Sequence, residues 1–316
     1  MSNKITTPVS FQVKACGKRQ AGGVSLIRLS ELLIESKIKQ GKVRTAETYK
    51  SAISSFVKFW GGDISLSSLS TAVVLDYQNY LLGQGLCRNT SSFYLRNLRA
   101  IYNRAVDMEL VGPSNPFRRV YTGIAKTDNR ALTLRELRVV RSLDLSYDPK
   151  LEFARDIFLF SFYTRGMSLV DVAFLTKSNI SHGVLSYKRR KTGQLIYIRW
   201  EKCMQELVDR YHDSDSPYLL PIVRCGSSDP RKQYLNVARK INRQLKQIRE
   251  KMGLPIPLTM YVARHSWASI ARASNIPVSV ISQALGHDSE KTTRIYLNSL
   301  EKNLIDDANM RIISKL

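Results

Sequence analysis

The strongest constraint on the fold is a break in helical periodicity at residues 112–116, which read Gly-Pro-Ser-Asn-Pro. Glycine and proline end helices, and a cluster of them with Ser and Asn is typical of a loop between separately packed segments. The chain has 316 residues and 43% of them are hydrophobic, which is enough for two domains with a core each. We therefore predict one domain on either side of this break.

Before the break, apolar residues recur at helical spacing in four segments. The first covers residues 26–39, the second includes Tyr49 and Ile53, the third follows a Ser70 cap, and the fourth runs over about residues 89–109. These segments predict a polar leader at residues 1–25 and a compact helical domain at residues 26–111. Residues 112–131 are rich in arginine and are predicted to form an extended basic linker.

After the break, the periodicity changes once. Residues 133–136 form a capping box, and residues 151–163 are apolar on nearly every side, as expected of a central helix. Residues 184–187 and 195–198 alternate as two strands of a hairpin do, and the pattern then returns to helical over residues 231–252 and 262–300. The predicted fold class is mainly α with a small β-sheet (α+β), with a second domain at residues 132–300 and a tail at residues 301–316.

The charge favours a polyanionic partner. Lys and Arg number 49 against 26 Asp and Glu, a formal net charge of +23. Residues 1–120 hold 17 basic and 7 acidic residues, so the excess is spread over both predicted domains, as a clamp around a nucleic acid would require. A ribosomal or chromatin-like binder without catalysis has the same composition. The residues that we predict to contact DNA are Arg96, Arg99, Arg118, Arg119, Lys126, Arg189 and Arg190.

Several other classes of protein do not fit the sequence. The four cysteines are far apart and form no C-x-x-C pair, which argues against a zinc site or a disulfide framework. No nucleotide-binding motif and no cluster of metal ligands is apparent, so we expect no cofactor. The start of the chain lacks an apolar signal core, and no run approaches the ~18 apolar residues that span a bilayer. We expect a cytoplasmic, nucleoid-associated bacterial protein.

A sparse, ordered set of polar residues near the carboxyl terminus points to chemistry at a phosphodiester. Arg264 can grip a phosphate as a planar fork, and His287, just past the helix-ending Gly286, can donate to its oxygens. Tyr296 follows nine residues later and can serve as the nucleophile. Taken singly, a histidine after a glycine cap such as His287 is more often a packed loop residue, and Tyr296 could belong to a core. Their joint occurrence with Arg264 at this spacing favours a phosphodiester transesterification.

These residues resemble the motifs of the tyrosine recombinases, also called phage integrases. Residues 258–266, which contain Arg264 and His265, look like the family's H-x-x-R-H box, and Leu285-Gly286-His287 followed by Tyr296 looks like its L-G-H box and nucleophile. Lys191 is similar to the family's mobile β-turn lysine, and Asp171 resembles the acidic residue that follows the first catalytic arginine. The resemblance implies a helical core-binding domain at residues 26–111, a catalytic domain at residues 132–300 and no metal or ATP requirement.

The sequence departs from the family pattern at two positions. Tyr261 stands where the family has the histidine of H-x-x-R, and a phenol can donate a hydrogen bond but cannot take a proton near neutral pH. Ser168 stands where the first catalytic arginine is expected. Arg165 lies three residues earlier, about 5–6 Å away at Cβ in a helix or turn, and we assign the missing role to it. Arg-Gly-Met-Ser at residues 165–168 resembles a divergent branch of invertases and mobile-element integrases.

The resemblance implies a role for each residue. Arg165 and Arg264 would bind the non-bridging oxygens of the scissile phosphate, Tyr296 would attack phosphorus, and Lys191 would protonate the departing 5′ oxygen. His287, supported by Tyr261, would bind a phosphoryl oxygen or accept the phenolic proton. We assign supporting roles to two further residues, Asp171 as an orienting group and His265 as a structural one.

The expected function is therefore site-specific DNA recombination through a 3′-phosphotyrosine and a Holliday junction, by a homotetramer on double-stranded DNA. A type IB-like topoisomerase and an inactive DNA-binding accessory protein are the alternatives. The resemblance also implies that the tail at residues 301–316 docks on a neighbouring protomer. The sequence leaves open the target site, the choice between integration, excision and inversion, and the need for a directionality or other accessory factor.

Overall fold

The computed structural model describes residues 23–125, 131–287, 289 and 293, and the chain divides into two compact units, residues 1–126 and 127–316. The first unit is helical over the residues described. Its helices are α1 (Leu26–Lys39), α2 (Val43–Trp60), α3 (Thr71–Gly83) and α4 (Arg88–Asp107).

Local sequence sets the ends of these helices. The Ser25 hydroxyl accepts from the Arg28 N–H at 3.0 Å, and the Ser70 hydroxyl accepts from the Val73 N–H at 3.3 Å, so each serine satisfies a donor that the first helical turn leaves open. Gly61 ends α2 in the left-handed conformation. The apolar faces of the helices then meet in one core, which buries Phe56 fully. The four helices lie where the periodicity of the sequence predicted them.

The segment after α4 corrects the predicted linker. Residues 112–125 do not run free of the first unit, because Phe117 and Val120 are buried in its core. The Asn89 side chain, near the start of α4, donates to the Ala125 carbonyl at 2.9 Å and accepts from the Ala125 N–H at 2.7 Å. The prediction of a linker relied on the arginines of this segment and gave no weight to Phe117 and Val120. Residues 126–130 lie outside the described part of the chain.

The second unit is helical with one small sheet. The sheet is antiparallel with strand order β1-β2-β3, and β2 and β3 pair in the register Leu185 with Ile198. The elements in chain order are α5 (Leu134–Ser142), α6 (Pro149–Tyr163), α7 (Leu169–Ala173), β1 (Ile180–Ser181), β2 (Val184–Lys188), β3 (Leu195–Arg199), α8 (Lys202–Arg210), α9 (Pro230–Met252), α10 (Met260–Ala273) and α11 (Val278–Ala284).

The predicted fold class, mainly α with a small sheet, is confirmed. The capping box forms, with the Thr133 hydroxyl accepting from the Glu136 N–H and the Glu136 carboxylate accepting from the Thr133 N–H. Helix α6 is buried along most of its length, and both predicted strands are present within one residue. The predicted helical stretch from residue 262 is divided into α10 and α11, and residues 294–300 fall outside the described residues. Within the described ranges, no helix combines the length and apolar character needed to cross a membrane.

A buried ionic network ties α6 to the end of α8. Asp156 is 2% exposed and accepts from Arg155 Nε at 2.7 Å, Arg210 Nη1 at 2.7 Å and the Tyr211 hydroxyl at 2.8 Å. Burial raises the pKa of Tyr211 above its ordinary value, and the Asp156 carboxylate raises it further. Three donors therefore bind the buried Asp156 carboxylate, and these hydrogen bonds offset the cost of removing its charge from water.

Candidate active site

A cavity of about 580 Å³ in the second unit brings together most of the predicted catalytic residues that the structure describes. It lies between the turn after α6, the β2–β3 hairpin turn, α9, the start of α10 and the loop after α11. Lys191, Tyr261, Arg264 and His287 line it. Arg189, predicted only as a DNA contact, lines it as well.

Arg264 is held at the base of this cavity by backbone oxygens. Its side chain is 7% exposed, and Nη1 donates to the Gly166 carbonyl at 3.0 Å while Nη2 donates to the Leu285 carbonyl. Nη2 also lies 3.1 Å from His287 Nε2. The guanidinium thus connects the turn after α6 to the loop after α11, and its position is fixed before any substrate arrives.

The turn after α6 is shaped for the close approach of α10. The N–H of Gly166 bonds to the Ser161 carbonyl and the N–H of Arg165 to the Phe162 carbonyl, which is a Schellman motif with Arg165 in the left-handed position. Gly166 follows with φ +72°, and a Cβ at this residue would lie 2.6 Å from Cα of Arg264. Only glycine satisfies both the dihedral angle and the contact.

His287 follows a second Schellman motif, at the end of α11. Its own N–H bonds to the Ser282 carbonyl, and the N–H of Gly286 bonds to the Gln283 carbonyl. Because a guanidinium has no acceptor, His287 Nε2 must accept from Arg264, so Nδ1 carries the proton and donates to the Thr293 hydroxyl at 2.7 Å. The imidazole is therefore neutral in this arrangement, with Nε2 turned toward the cavity.

The β2–β3 hairpin is fastened to the cavity at two points. Asp171 is buried; one of its oxygens accepts from the Arg190 N–H at 3.0 Å and the other from the Ser168 hydroxyl at 2.6 Å. Nη1 of Arg189 donates to the Gly286 carbonyl. Asp171 therefore orients the backbone of the hairpin, and Arg189 ties the hairpin to the loop that carries His287. Lys191, exposed on the turn, extends from this support.

Arg165 lies on the turn after α6 and contacts the sheet. Its left-handed backbone turns the side chain toward the sheet, where Nη1 donates to the Tyr197 carbonyl on β3 at 3.3 Å. Among the described residues that line the cavity, Arg165 is absent. The prediction assumed an ordinary helix or turn from Arg165 to Ser168, and the left-handed pair at residues 165 and 166 breaks that geometry.

The other predicted site residues divide into those at the cavity and those outside the described part of the chain. Tyr261 is 60% exposed at the cavity mouth, and its ring meets the His265 ring edge-on at 4.4 Å between centroids. His265 therefore supports Tyr261, in keeping with a structural role. Tyr296, the predicted nucleophile, lies outside the described residues.

The predicted DNA contacts have different environments. Arg118 and Arg119 are exposed, whereas Arg96 and Arg99 are half-buried: Arg96 bonds to the Ser92 carbonyl and Arg99 to the Thr122 hydroxyl at 2.7 Å. Arg99 thus ties α4 to the segment that follows it, whereas the Arg96 bond lies within α4.

In the second unit, the Arg190 guanidinium is exposed and stacks on Phe174 at 4.0 Å. Arg189 is 7% exposed and lines the cavity, so a DNA contact at this residue would be made inside the cavity and not on the outer surface. A signal for its burial was present in the sequence. Leu185, Tyr187 and Arg189 share the parity of the inward face of β2, and the basic run around residue 189 masked this alternation. Lys126 lies outside the described residues.

Two family models match the chain. The model described as "Phage integrase SAM-like domain" matches residues 25–122, and the model described as "Phage integrase family" matches residues 152–303. Together they cover most of the chain, in the order helical domain then catalytic domain. The chain belongs to the phage integrase family of tyrosine recombinases.

Curated relatives of this phage integrase family member span nearly its whole length. It is 24% identical over 291 residues to tyrosine recombinase XerC of Rhizobium meliloti (strain 1021), covering 85% of this chain and 86% of the relative. It is 22% identical over 292 residues to tyrosine recombinase XerD of Halalkalibacterium halodurans, covering 88% and 95%.

Solved structures share its fold. A lambda integrase (residues 75–356) dimer bound to a COC′ core site gives a TM-score of 0.66 at 17% identity, over 86% of this chain and 95% of that one. A lambda integrase tetramer bound to a Holliday junction gives 0.64 at 17% identity, over 87% and 77%. The XerH recombinase bound to a palindromic difH substrate gives 0.63 at 15% identity, over 84% and 79%. At these identities the likeness establishes the fold.

Proposed function

We propose that this chain is a site-specific DNA recombinase that cleaves and rejoins DNA through a phosphotyrosine at Tyr296. Arg264, His287 and Lys191 converge on one cavity, and this convergence is the observation that carries the proposal. A cation fixed by backbone carbonyls, a neutral imidazole and an exposed amine are suited to a phosphoryl transfer without a metal.

The cleavage step follows from the charges that develop. The Tyr296 phenol oxygen attacks phosphorus, the bond from phosphorus to the 5′ oxygen breaks, and a 3′-phosphotyrosine and a free 5′ hydroxyl result. The phenolic proton passes to a base, for which the neutral His287 Nε2 is suited, and Lys191 protonates the 5′ oxygen as it leaves. Rejoining is the reverse, with a 5′ hydroxyl as the nucleophile. The energy of the broken bond is retained in the phosphotyrosine, so neither step requires ATP.

Arg264 stabilises the transition state in this scheme. In the free protein its Nη2 bonds to His287 Nε2 and to the Leu285 carbonyl. A phosphate oxygen bearing negative charge is a stronger acceptor than a neutral imidazole, so it would take over one of these donors and release Nε2 for proton transfer. One such preorganised donor typically contributes about 10²–10³ in rate.

Partners follow from the charge and from the relatives. The net charge of +23 favours binding to double-stranded DNA. The solved structures that share the fold include a lambda integrase tetramer bound to a Holliday junction. We propose that this chain likewise acts as a homotetramer on paired sites, in the cytoplasm and in association with the nucleoid. Exchange between two sites, rather than relaxation of one, requires such an assembly.

A suicide substrate tests the proposal. Duplexes that the full-length chain selects from a random library would be nicked close to the cleavage position, so that a short strand is lost after attack and the covalent adduct is trapped. The native chain should yield an adduct that resists denaturing electrophoresis, and Tyr296→Phe should abolish it because it removes the nucleophilic oxygen. Tyr147→Phe, at an exposed tyrosine beside Lys251, is the matched control and should form the adduct. Absence of an adduct with the native chain on every selected duplex would refute recombinase chemistry.

A further inference from the structure

The first catalytic arginine that the family pattern leads one to expect is replaced by Ser168, whose hydroxyl is engaged in donating to Asp171 at 2.6 Å. A serine hydroxyl cannot supply a positive charge. The attacked phosphate carries charge on two non-bridging oxygens, and Arg264 is one guanidinium. A second negative charge develops on these oxygens as the tyrosine attacks, so a second fixed cation close to Arg264, besides the exposed amine of Lys191, would stabilise the transition state.

Arg165 does not meet this need in the structure. Its guanidinium donates to the Tyr197 carbonyl, on a β3 residue that is 59% exposed, and it does not line the cavity. To reach a phosphate beside Arg264, the side chain would have to give up its hydrogen bond to the Tyr197 carbonyl.

Arg189 meets the need without rearrangement. Its side chain is 7% exposed, lines the cavity and donates through Nη1 to the Gly286 carbonyl. Arg264 donates to the Leu285 carbonyl, the preceding peptide group, so both guanidinium groups attach to neighbouring carbonyls of one turn. Within the described ranges, Nε and Nη2 of Arg189 have no hydrogen-bond acceptor, so both remain available to an oxygen placed in the cavity.

Among the described residues, no carboxylate forms an ion pair with the Arg189 guanidinium. Its anchor is a neutral carbonyl, and the nearby carboxylate of Asp171 is already bonded to Ser168 and to the backbone of Arg190. Tyr187 is buried beneath the hairpin, and burial raises the pKa of its hydroxyl above the ordinary value, so the phenol stays neutral and brings no opposing charge. A buried guanidinium with free donors and an uncompensated charge is typical of a site for an anion.

We propose that Arg189, from the β2–β3 hairpin, supplies the second guanidinium that binds the scissile phosphate. Nε and Nη2 bind one non-bridging oxygen while Arg264 binds the other, and Ser168 with Asp171 holds the hairpin in place for this contact. This assignment rests on the proposed recombinase function and replaces the role predicted for Arg165.

The test compares two substrates, the nicked duplex with an ordinary scissile phosphate and the same duplex with a methylphosphonate there. The methyl group removes the negative charge that an arginine would neutralise. Arg189→Ala should slow adduct formation on the phosphate by about 100-fold or more, yet on the methylphosphonate it should lie within about tenfold of the native rate. Arg199→Ala, at an exposed arginine on β3 of the same hairpin, is the matched control and should follow the native chain on both substrates.

Three outcomes would overturn the assignment. One is an Arg189→Ala rate on the phosphate within threefold of native. Another is an equal loss on both substrates in Arg189→Ala and in Arg189→Lys, because a side chain that only holds the Gly286 turn is needed for both. The third is a charge-selective loss in Arg165→Ala instead. If the native chain forms an adduct in the same experiment, the proposed recombinase function still stands in all three cases. If the native chain forms none, that function itself is contradicted.

Discussion

Replacing Gly166 by alanine should damage both the stability and the chemistry of the second unit. Two costs add at this residue. An L-residue in the left-handed region costs roughly 1–2 kcal/mol. The new Cβ would also lie 2.6 Å from Cα of Arg264, so α10 must move by about 1 Å to restore ordinary contact, and overpacking of this kind costs about 1–3 kcal/mol. We therefore expect Gly166→Ala to lower the free energy of unfolding by roughly 2–5 kcal/mol.

Gly183 provides a matched control in the same unit. It has the same φ of +72°, and a Cβ there would meet nothing within 4 Å, so Gly183→Ala isolates the cost of the dihedral angle. Urea titrations of both full-length variants, followed by circular dichroism, measure the difference directly. Because a shift of α10 by about 1 Å carries Arg264 with it, Gly166→Ala should also slow adduct formation by about 100-fold, whereas Gly183→Ala should not. Equal destabilisation of the two variants would show that the close approach of α10 has no energetic consequence, and the reasoning would fail.

Two further predictions concern stability alone. Asp156→Ala should lower the free energy of unfolding by about 3–5 kcal/mol because Arg155, Arg210 and Tyr211 all lose the buried acceptor that they share, and only Glu152 then remains beside Arg155. Glu201→Ala, which removes an exposed pair, should cost at most about 1 kcal/mol in the same urea titration. Since the pKa of Tyr187 is raised in the folded chain, its contribution to stability is complete below the ordinary tyrosine pKa of about 10 and is lost as the pH rises above it. Tyr187→Phe should therefore lose less stability than the native chain between about pH 9 and pH 11.5, and identical losses would contradict a raised pKa.

The helices of the first unit were predictable because local signals agree there. Over residues 26–39 the apolar stripe and the serine before it favour the same element, and α1 covers these residues. The hairpin was predictable for the same reason, since strict alternation on either side of a Gly-containing turn has few other interpretations. The motifs around Arg264 and His287 likewise predicted which side chains share the cavity.

The errors concern contacts between residues distant in sequence. The bond from Arg189 to Gly286 joins positions 97 residues apart, and no local pattern reports it. The backbone of Arg165 was not predicted, because an arginine in the left-handed position is uncommon and the sequence alone gives it the same reach as an arginine in a helix. Residues 112–125 were taken for a linker because their charge outweighed the two apolar residues that anchor them to α4.

The fastening of the hairpin to the turn at Gly286 determines how these parts can move. Gly286 has no room for a side chain, since a Cβ would lie 2.6 Å from Cδ1 of Ile196, and its carbonyl is bonded to Arg189. The hairpin and the turn before His287 are thus packed as one body. Asp171 holds this body to α7, and Arg264 holds it to the turn after α6. The proposed proton donor Lys191 and proton acceptor His287 therefore depend on one support, and a substitution that loosens it would displace both.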